Sequence, residues 1–278
     1  MNKTLKLWNT YHTRGIKSEY LFRYMDRNKI DSFLTTKSLY MPLMHRFDDK
    51  LEGISTYDIT EVRTAYQFSF LDREEDILPD KLEFWKAEKR KSEKILKSIK
   101  LKLERTQTSH YVSCWFNSNR ESDGMWRFYA KENGFAIKVK RKDFQKEIQK
   151  SIKTNLTSEN QKIVVGRIVY QDYPRVVEKE NTVLYLAFRK DESFSHEKEY
   201  RIVIIDPNRD SKKSDHIQYK INGFEGIEIK VIAHPAMSEE EFQKNKKYFE
   251  SLGDNIIVEK SELEPFYQFY DRINSLES

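Results

Sequence analysis

The run YRIVII, at residues 200–205, is the stretch that most constrains how this chain folds. Its β-branched and aromatic content predicts a buried strand with Tyr200, Ile202 and Ile204 on one face. Two carboxylates, Glu197 and Glu199, stand immediately before it, and strand alternation predicts that they share the opposite face. That face either meets solvent or lines a cleft. The spacing alone favours solvent.

Similar strand signals recur through the middle of the chain, whereas helix signals lie early and late. A helix is predicted near residues 29–36, and the capping box at Ser238 to Glu241 begins another that ends before Gly253. Strands are predicted at residues 20–24, 38–41, 111–116, 135–139, 162–170, 200–205, 227–233 and 255–258. This order predicts an α+β fold with a mostly antiparallel sheet.

Residues 60–106 interrupt the strand signals with a helical pattern and predict an insertion in a single domain of residues 1–278. Between residues 81 and 106 the sequence has ten Lys or Arg against four Glu, a local excess larger than the net charge of +5. Such a basic helix either binds the phosphates of a nucleic acid or presents a solvated face.

Composition and motif content exclude several classes of function. No apolar segment reaches bilayer length and no signal sequence precedes the fold, so we expect a cytoplasmic protein without a membrane partner. Cys114 is the single cysteine, and the six histidines show no metal-ligand spacing, so no metal site is expected. Neither a P-loop nor a GxGxxG fingerprint occurs.

Three residues on or near predicted strands have both an ordinary and a functional interpretation. Arg23 lies between Phe22 and Tyr24, as a surface ion-pair partner or as a fork for a phosphate. Ser113 lies on a strand predicted to be buried, where its hydroxyl needs a partner such as a carboxylate on the next strand. Cys114 has no histidine paired with it in a known motif and is interpreted as a small core residue.

Two further pairs have an ordinary and a functional interpretation. Trp126 and Tyr129 share a face at helical spacing, as part of the core or as an aromatic wall for a flat ring. Asp48 and Asp49 cap a loop or contribute to a divalent-metal site, and the absence of further acidic partners favours the cap.

Together, four segments resemble a bacterial family catalogued as domain of unknown function 2971 (DUF2971). The matching segments are "LFRYMD", "SLYMPLMHRFDDKLEG", "YVSCWFNSNRESDGMWRFYAKENGFAIKV" and "AFRKDESFSHEKEYRIVI". The resemblance spans residues 20–240. It departs from the family pattern at Asp48-Asp49-Lys50, where the family has Asn-Asp-Pro.

The order of arginine, serine and Glu-x-Glu on successive strands is also similar to that of ADP-ribosyltransferases, which bind NAD in a split sheet without a Rossmann fingerprint. This resemblance implies a split mostly antiparallel sheet and a catalytic Glu199, which stabilises the positive charge that develops on the ribose. It also implies that Glu197 acts on the acceptor and that Ser113 orients Glu199.

The remaining implied contacts concern NAD itself. Arg23 is expected at the pyrophosphate and Trp126 or Tyr129 at the nicotinamide, and Tyr24 is a further expected contact to the cofactor.

The leading hypothesis is therefore an NAD-dependent ADP-ribosyltransferase that modifies nucleic acid or protein, as a toxin with an antitoxin partner or as an antiphage effector. Three alternatives stay open: an NAD glycohydrolase, a non-catalytic ligand sensor, and a metal-dependent nuclease built on Asp48, Asp49, Glu197 and Glu199.

Overall fold

The computed structural model describes residues 8–49, 51–69, 77, 79–130, 133–172, 183–210 and 214–276. Its helices are α1 (Arg27–Thr36), α2 (Thr56–Ser69), α3 (Leu82–Ser109), α4 (Asp123–Tyr129), α5 (Arg141–Lys150), α6 (Ile152–Asn155), α7 (Glu239–Glu250) and α8 (Glu264–Leu276). Its strands are β1 (Trp8–Tyr11), β2 (Tyr20–Met25), β3 (Ser38–Pro42), β4 (His110–Asn117), β5 (Phe135–Lys140), β6 (Lys162–Arg167), β7 (Val169–Gln171), β8 (Arg189–Asp191), β9 (Glu199–Ile205), β10 (His216–Lys220), β11 (Ile229–Ala233) and β12 (Ile256–Lys260).

Eight of these strands form one sheet in the order β1-β6-β9-β4-β2-β5-β11-β12. Its five central pairings are antiparallel, and the two outermost ones, β1 with β6 and β11 with β12, are parallel. All seven residues of β9 are buried, as the aliphatic run predicts for a strand inside a sheet. The mixed helices and mostly antiparallel sheet confirm the predicted α+β class.

The sheet separates locally between β2 and β4. These strands pair only at Leu21 with Asn117 and at Phe22 with Phe116, whereas β4 and β9 pair along seven residues. Beyond Phe22 the two strands diverge and leave a gap inside an otherwise continuous sheet.

Strand alternation divides the buried side chains between two faces of the sheet. The larger core contains Trp115 of β4 together with Tyr200 and Ile202 of β9. The opposite face carries Val112 and Val203, which pack under the segment Val183–Phe188. The predicted separation of Tyr200, Ile202 and Ile204 from Glu199 is therefore confirmed.

The predicted insertion is a helical hairpin of α2 and α3 between β3 and β4. Its apolar contacts join Ile99 of α3 to Ile54, Ile59 and Val62. The predicted boundaries at residues 60 and 106 fall inside these helices, and residues 70–76 lie outside the described part of the chain. Most basic side chains of α3 are exposed.

Gly166 allows β1 to approach the sheet edge. It lies opposite Tyr11 in the β1–β6 pairing, and an added Cβ would stand 1.9 Å from the Tyr11 carbonyl oxygen. We expect Gly166→Ala to lower the free energy of unfolding by about 1–3 kcal/mol, measured by urea denaturation. Gly226→Ala is the control because a Cβ added there would meet no atom within 4 Å. Equal stability of the two variants would contradict the pairing of β1 with β6.

Candidate functional site

A cavity of about 640 Å³ lies where β2 and β4 diverge. Its wall is built from β2, β4, the end of β3, the loop at residues 46–52, β8 and the beginning of β9. Its volume is within the range of roughly 300–1,000 Å³ that is typical of ligand pockets. Its charged lining includes an acidic cluster at the entry to β9 and an arginine on β2, and Lys29, Arg46, Asp48 and Asp49 also border it.

The acidic cluster begins at the entry to β9. Glu197 ends a 3-10 helix, Glu192–Glu197, and Lys198 adopts a left-handed conformation with φ 41° before Glu199 begins the strand. The two carboxylates therefore do not share a strand face, and that prediction is wrong. Both nevertheless line the cavity. Lys190 brings them together there, since its Nζ lies 2.5 Å from Glu197 Oε2 and 3.0 Å from Glu199 Oε1.

Arg201, on the same face of β9, binds both carboxylate oxygens of Glu199. Its Nε donates to Glu199 Oε2 at 2.7 Å and its Nη2 to Glu199 Oε1 at 3.0 Å. Its Nη1 donates to Glu52 Oε1 at 2.6 Å and to the Ala187 carbonyl at 2.8 Å. Arg201 is completely buried, so its charge is balanced within the protein.

These contacts determine which carboxylate is ionised. Burial alone would raise the pKa of Glu199, but Arg201 and then Lys190 outweigh it and hold the pKa well below its usual value. Burial raises the pKa of Glu197, and the neighbouring Glu199 raises it further, against the bonds donated by Lys190 and Tyr129. Glu199 is thus held as the carboxylate anion, and Glu197 is the carboxyl that binds a proton more readily of the two.

Glu52 joins the same cluster from the loop before the helical hairpin. Burial raises its pKa, Arg201 opposes this shift, and Glu199 adds to it. Three carboxylates therefore meet two cations, Arg201 and Lys190, which leaves a formal excess of one negative charge within this cluster.

Two phenols complete the cluster. Tyr129 Oη donates to Glu197 Oε1 at 2.6 Å, and its ring is 47% exposed beside the cavity. Tyr170 Oη accepts from the backbone N–H of Glu199 at 2.8 Å. Burial is the largest cause that raises the pKa of both phenols, and the neighbouring carboxylates add to it. Both side chains are therefore neutral hydrogen-bonding groups near pH 7.

Cys114 lies opposite Arg201 on β4 and also borders the cavity. Burial, followed by the charge of Glu199, raises the pKa of its thiol well above the usual value. The residue packs against the core, as predicted, and remains a protonated thiol rather than a nucleophilic thiolate.

Arg23 faces the cavity from β2. Its Nη1 donates to Ser113 Oγ at 3.1 Å and its Nη2 to the Tyr40 carbonyl at 3.4 Å. Burial lowers its pKa, but a guanidinium stays charged in proteins. Neither partner is a carboxylate, and Arg23 forms no ion pair with any residue that the structure describes. It is therefore a cation available to an anionic ligand.

The predicted role of Ser113 does not fit its position. Ser113 is opposite Ile202 in the β4–β9 pairing, so its side chain lies on the other face from Glu199. Its hydroxyl accepts from Arg23 and from Trp115 Nε1 at 3.0 Å. Ser113 therefore positions Arg23 and cannot orient Glu199.

Two aromatic residues of α4, Trp126 and Tyr129, differ in their access to the cavity. Trp126 is fully buried, and its Nε1 donates to Glu121 Oε2 at 3.0 Å. Its ring packs edge-on against the Tyr24 ring, with the ring centroids 4.9 Å apart. It is not part of the cavity wall, so the predicted contact of Trp126 with the nicotinamide is wrong. Tyr24 and Tyr129 do line the cavity, and the Tyr24 Oη accepts from the Ser122 N–H at 3.0 Å.

The acidic loop follows the simpler prediction. Asp49 Oδ1 accepts from the Leu51 N–H at 2.9 Å, which is a loop cap, and both Asp48 and Asp49 border the cavity. Among the described residues, no group of three or more His, Cys, Asp or Glu is arranged to hold a metal ion. In the same part of the chain, no helix is long and apolar enough to cross a membrane.

Sequence reasoning missed Glu52, Tyr170, Lys190 and Arg201. Arg201 had a visible signal, since a charged residue inside an aliphatic run, two positions after Glu199, shares its strand face. Glu52 reaches the site from a turn and Lys190 from the short strand β8, and no periodic pattern marks them.

A family model described as "Protein of unknown function (DUF2971)" matches residues 125–202. The matched stretch contains Tyr129, Lys190, Glu197, Glu199 and Arg201, and it supports the family resemblance found in the sequence. No curated protein and no solved structure matches the chain significantly.

Lys190 is the cation shared by the two carboxylates at the cavity, so its removal tests the cluster. We expect Lys190→Met to lower the free energy of unfolding by about 3 kcal/mol at neutral pH, because it leaves buried carboxylates without their partner. The folded-state pKa of Glu197 is already raised and should rise further. The loss should therefore grow as pH rises through the ionisation of Glu197 and shrink below it.

Urea denaturation at several pH values measures this dependence. Lys153→Met, at an exposed position of α6, is the matched control and should change stability little at any pH. A loss in Lys190→Met that does not vary with pH would contradict the described cluster.

Proposed function

We propose that this protein is an NAD-dependent ADP-ribosyltransferase that modifies a macromolecule. The observation that carries the proposal is the charge arrangement of one cavity. An arginine without an ion-pair partner among the described residues faces it from β2. An ionised carboxylate faces it from β9, and a second carboxylate with a raised pKa faces it from the 3-10 helix just before β9.

Glu199 is suited to the bond-breaking step. Loss of nicotinamide from NAD leaves positive charge on the ribose, and a carboxylate held at that point stabilises the transition state. Arg201 and Lys190 keep Glu199 ionised and fixed, so little reorganisation is needed during the reaction. The excess negative charge of the cluster favours the same developing cation.

Glu197 is suited to the transfer step. Its raised pKa places it closer to neutrality than Glu199, as a general base that accepts a proton from the acceptor requires. Tyr129 donates to the same carboxylate and offers a half-exposed ring on which the nicotinamide can stack.

Arg23 is suited to the pyrophosphate. A planar guanidinium binds two phosphate oxygens at once, and this one has no competing carboxylate partner within the described residues. Its strand lies two positions from β9 in the sheet, a separation of about 10 Å. Because Arg23 and Glu199 belong to opposite faces, NAD would have to pass through the gap between β2 and β4.

The strand order supports the proposal by analogy with ADP-ribosyltransferases. The strands that carry Glu199, Ser113 and Arg23 are neighbours, and the sheet separates between the last two. We further propose a cytoplasmic toxin or antiphage effector with an antitoxin partner. Its acceptor would be nucleic acid or protein, and the exposed cations of α3 are compatible with nucleic acid.

One observation favours a second candidate, a non-catalytic ligand-binding module. Both oxygens of Glu199 already receive bonds from Arg201, and Oε1 also meets Lys190. Buried ion networks of this kind also occur as purely structural features. In such a module the cavity would bind an anionic ligand on Arg23 without cleaving it.

The test is release of nicotinamide from NAD by the purified protein, with and without RNA, DNA or protein from a cell lysate. We expect Glu199→Gln to slow release by about 100-fold or more, because the glutamine is isosteric and uncharged. We expect Glu197→Gln to retain NAD hydrolysis but lose transfer to the acceptor. Water can attack the cationic ribose without a base, whereas the acceptor group has to give its proton to Glu197.

Glu192→Gln is the matched control, an exposed glutamate in the same 3-10 helix as Glu197. It should behave as wild type. Absence of nicotinamide release from wild type under all conditions would overturn the transferase and glycohydrolase hypotheses together. Release without any modified acceptor would identify a glycohydrolase.

A further inference from the structure

Tyr40 lies beside Arg23 in the cavity wall. It belongs to β3, its side chain is 47% exposed, and its carbonyl oxygen accepts from Arg23 Nη2 at 3.4 Å. Its neighbours in the strand, Leu39 and Met41, are fully buried, so alternation turns Tyr40 away from the core. A large aromatic surface is therefore open next to an arginine that has no ion pair among the described residues.

The Tyr40 ring is held in place by a second ring. His216 of β10 stacks on it with centroids 4.8 Å apart and planes at 29°. The His216 Nδ1 is in turn 2.9 Å from Ser214 Oγ, and β10 pairs with β3 along five residues. The stacked His216 and the strand pairing fix the orientation of the Tyr40 ring before a ligand binds. Little side-chain entropy is therefore lost when a base stacks on it.

We propose that Tyr40 is the stacking surface for the base of a nucleotide whose phosphate lies on Arg23. In the proposed reaction this nucleotide is the adenine half of NAD, and to that extent the assignment rests on the proposed function. Because the Arg23 guanidinium contacts the backbone of Tyr40 itself, the phosphate and base positions are adjacent and a ribose can bridge them. Lys29 and Arg46 also line the cavity, as do Asp48 and Asp49.

Stacking on an aromatic side chain strengthens binding of a base without any hydrogen-bond readout. The subsite therefore predicts a specific difference between two ligands. ADP, which has both phosphate and base, should bind more tightly than inorganic pyrophosphate, which reaches Arg23 alone.

The experiment is calorimetric titration of the intact protein with ADP and with inorganic pyrophosphate. We expect Tyr40→Ala to weaken ADP binding about tenfold and leave pyrophosphate binding unchanged, whereas Tyr40→Phe should bind ADP like wild type. Tyr270→Ala, at an exposed tyrosine of α8, is the matched control and should change neither affinity. Thermal unfolding of each variant checks that the fold is retained.

The inference is overturned if wild type binds neither ligand, if ADP and pyrophosphate bind equally, or if Tyr40→Ala leaves ADP binding intact. These outcomes are separable from failure of the proposed function. Tyr40-dependent ADP binding without nicotinamide release would sustain the subsite and reject the reaction. Nicotinamide release with an unchanged KM for NAD in Tyr40→Ala would do the reverse.

Discussion

The buried pair of Arg201 and Glu199 is the interaction on which the site depends. Arg201 lies in the middle of the most aliphatic strand of the sheet, where an unpaired guanidinium would cost several kcal/mol. Its charge is met by Glu199 on the same strand and by Glu52 from the loop that precedes the helical hairpin. This requirement connects the hairpin to the sheet and fixes one wall of the cavity.

The rest of the cavity follows from the gap between β2 and β4. Because those strands pair at only two positions, Arg23 faces a space in which no carboxylate of the described chain pairs with it. The cavity thus has an acidic side, where Glu199 is a fixed anion, and a basic side, where Arg23 has no carboxylate partner among the described residues. A ligand with an anionic centre and a site of developing positive charge complements both.

Much of the fold could be predicted because β-strand patterns are local: the central strands and the α+β class follow from alternation in each segment. The site could be predicted only in part. Glu197 and Glu199 meet through Lys190 rather than by strand alternation, and this contact joins separate segments. Ser113 shows why strand register matters. Because side chains alternate between the two faces, its hydroxyl lies on the face of Arg23, and a shift of one residue would have placed it on the face of Glu199.

In the proposed reaction one NAD molecule spans the gap between β2 and β4. The most direct measurement is a crystal structure of the Glu199→Gln variant grown with NAD, in which cleavage is slowed. We expect the nicotinamide ribose at residue 199, the pyrophosphate on Arg23, and the ligand passing between the two strands. NAD bound elsewhere, or on one face of the sheet without contact to Arg23, would contradict it.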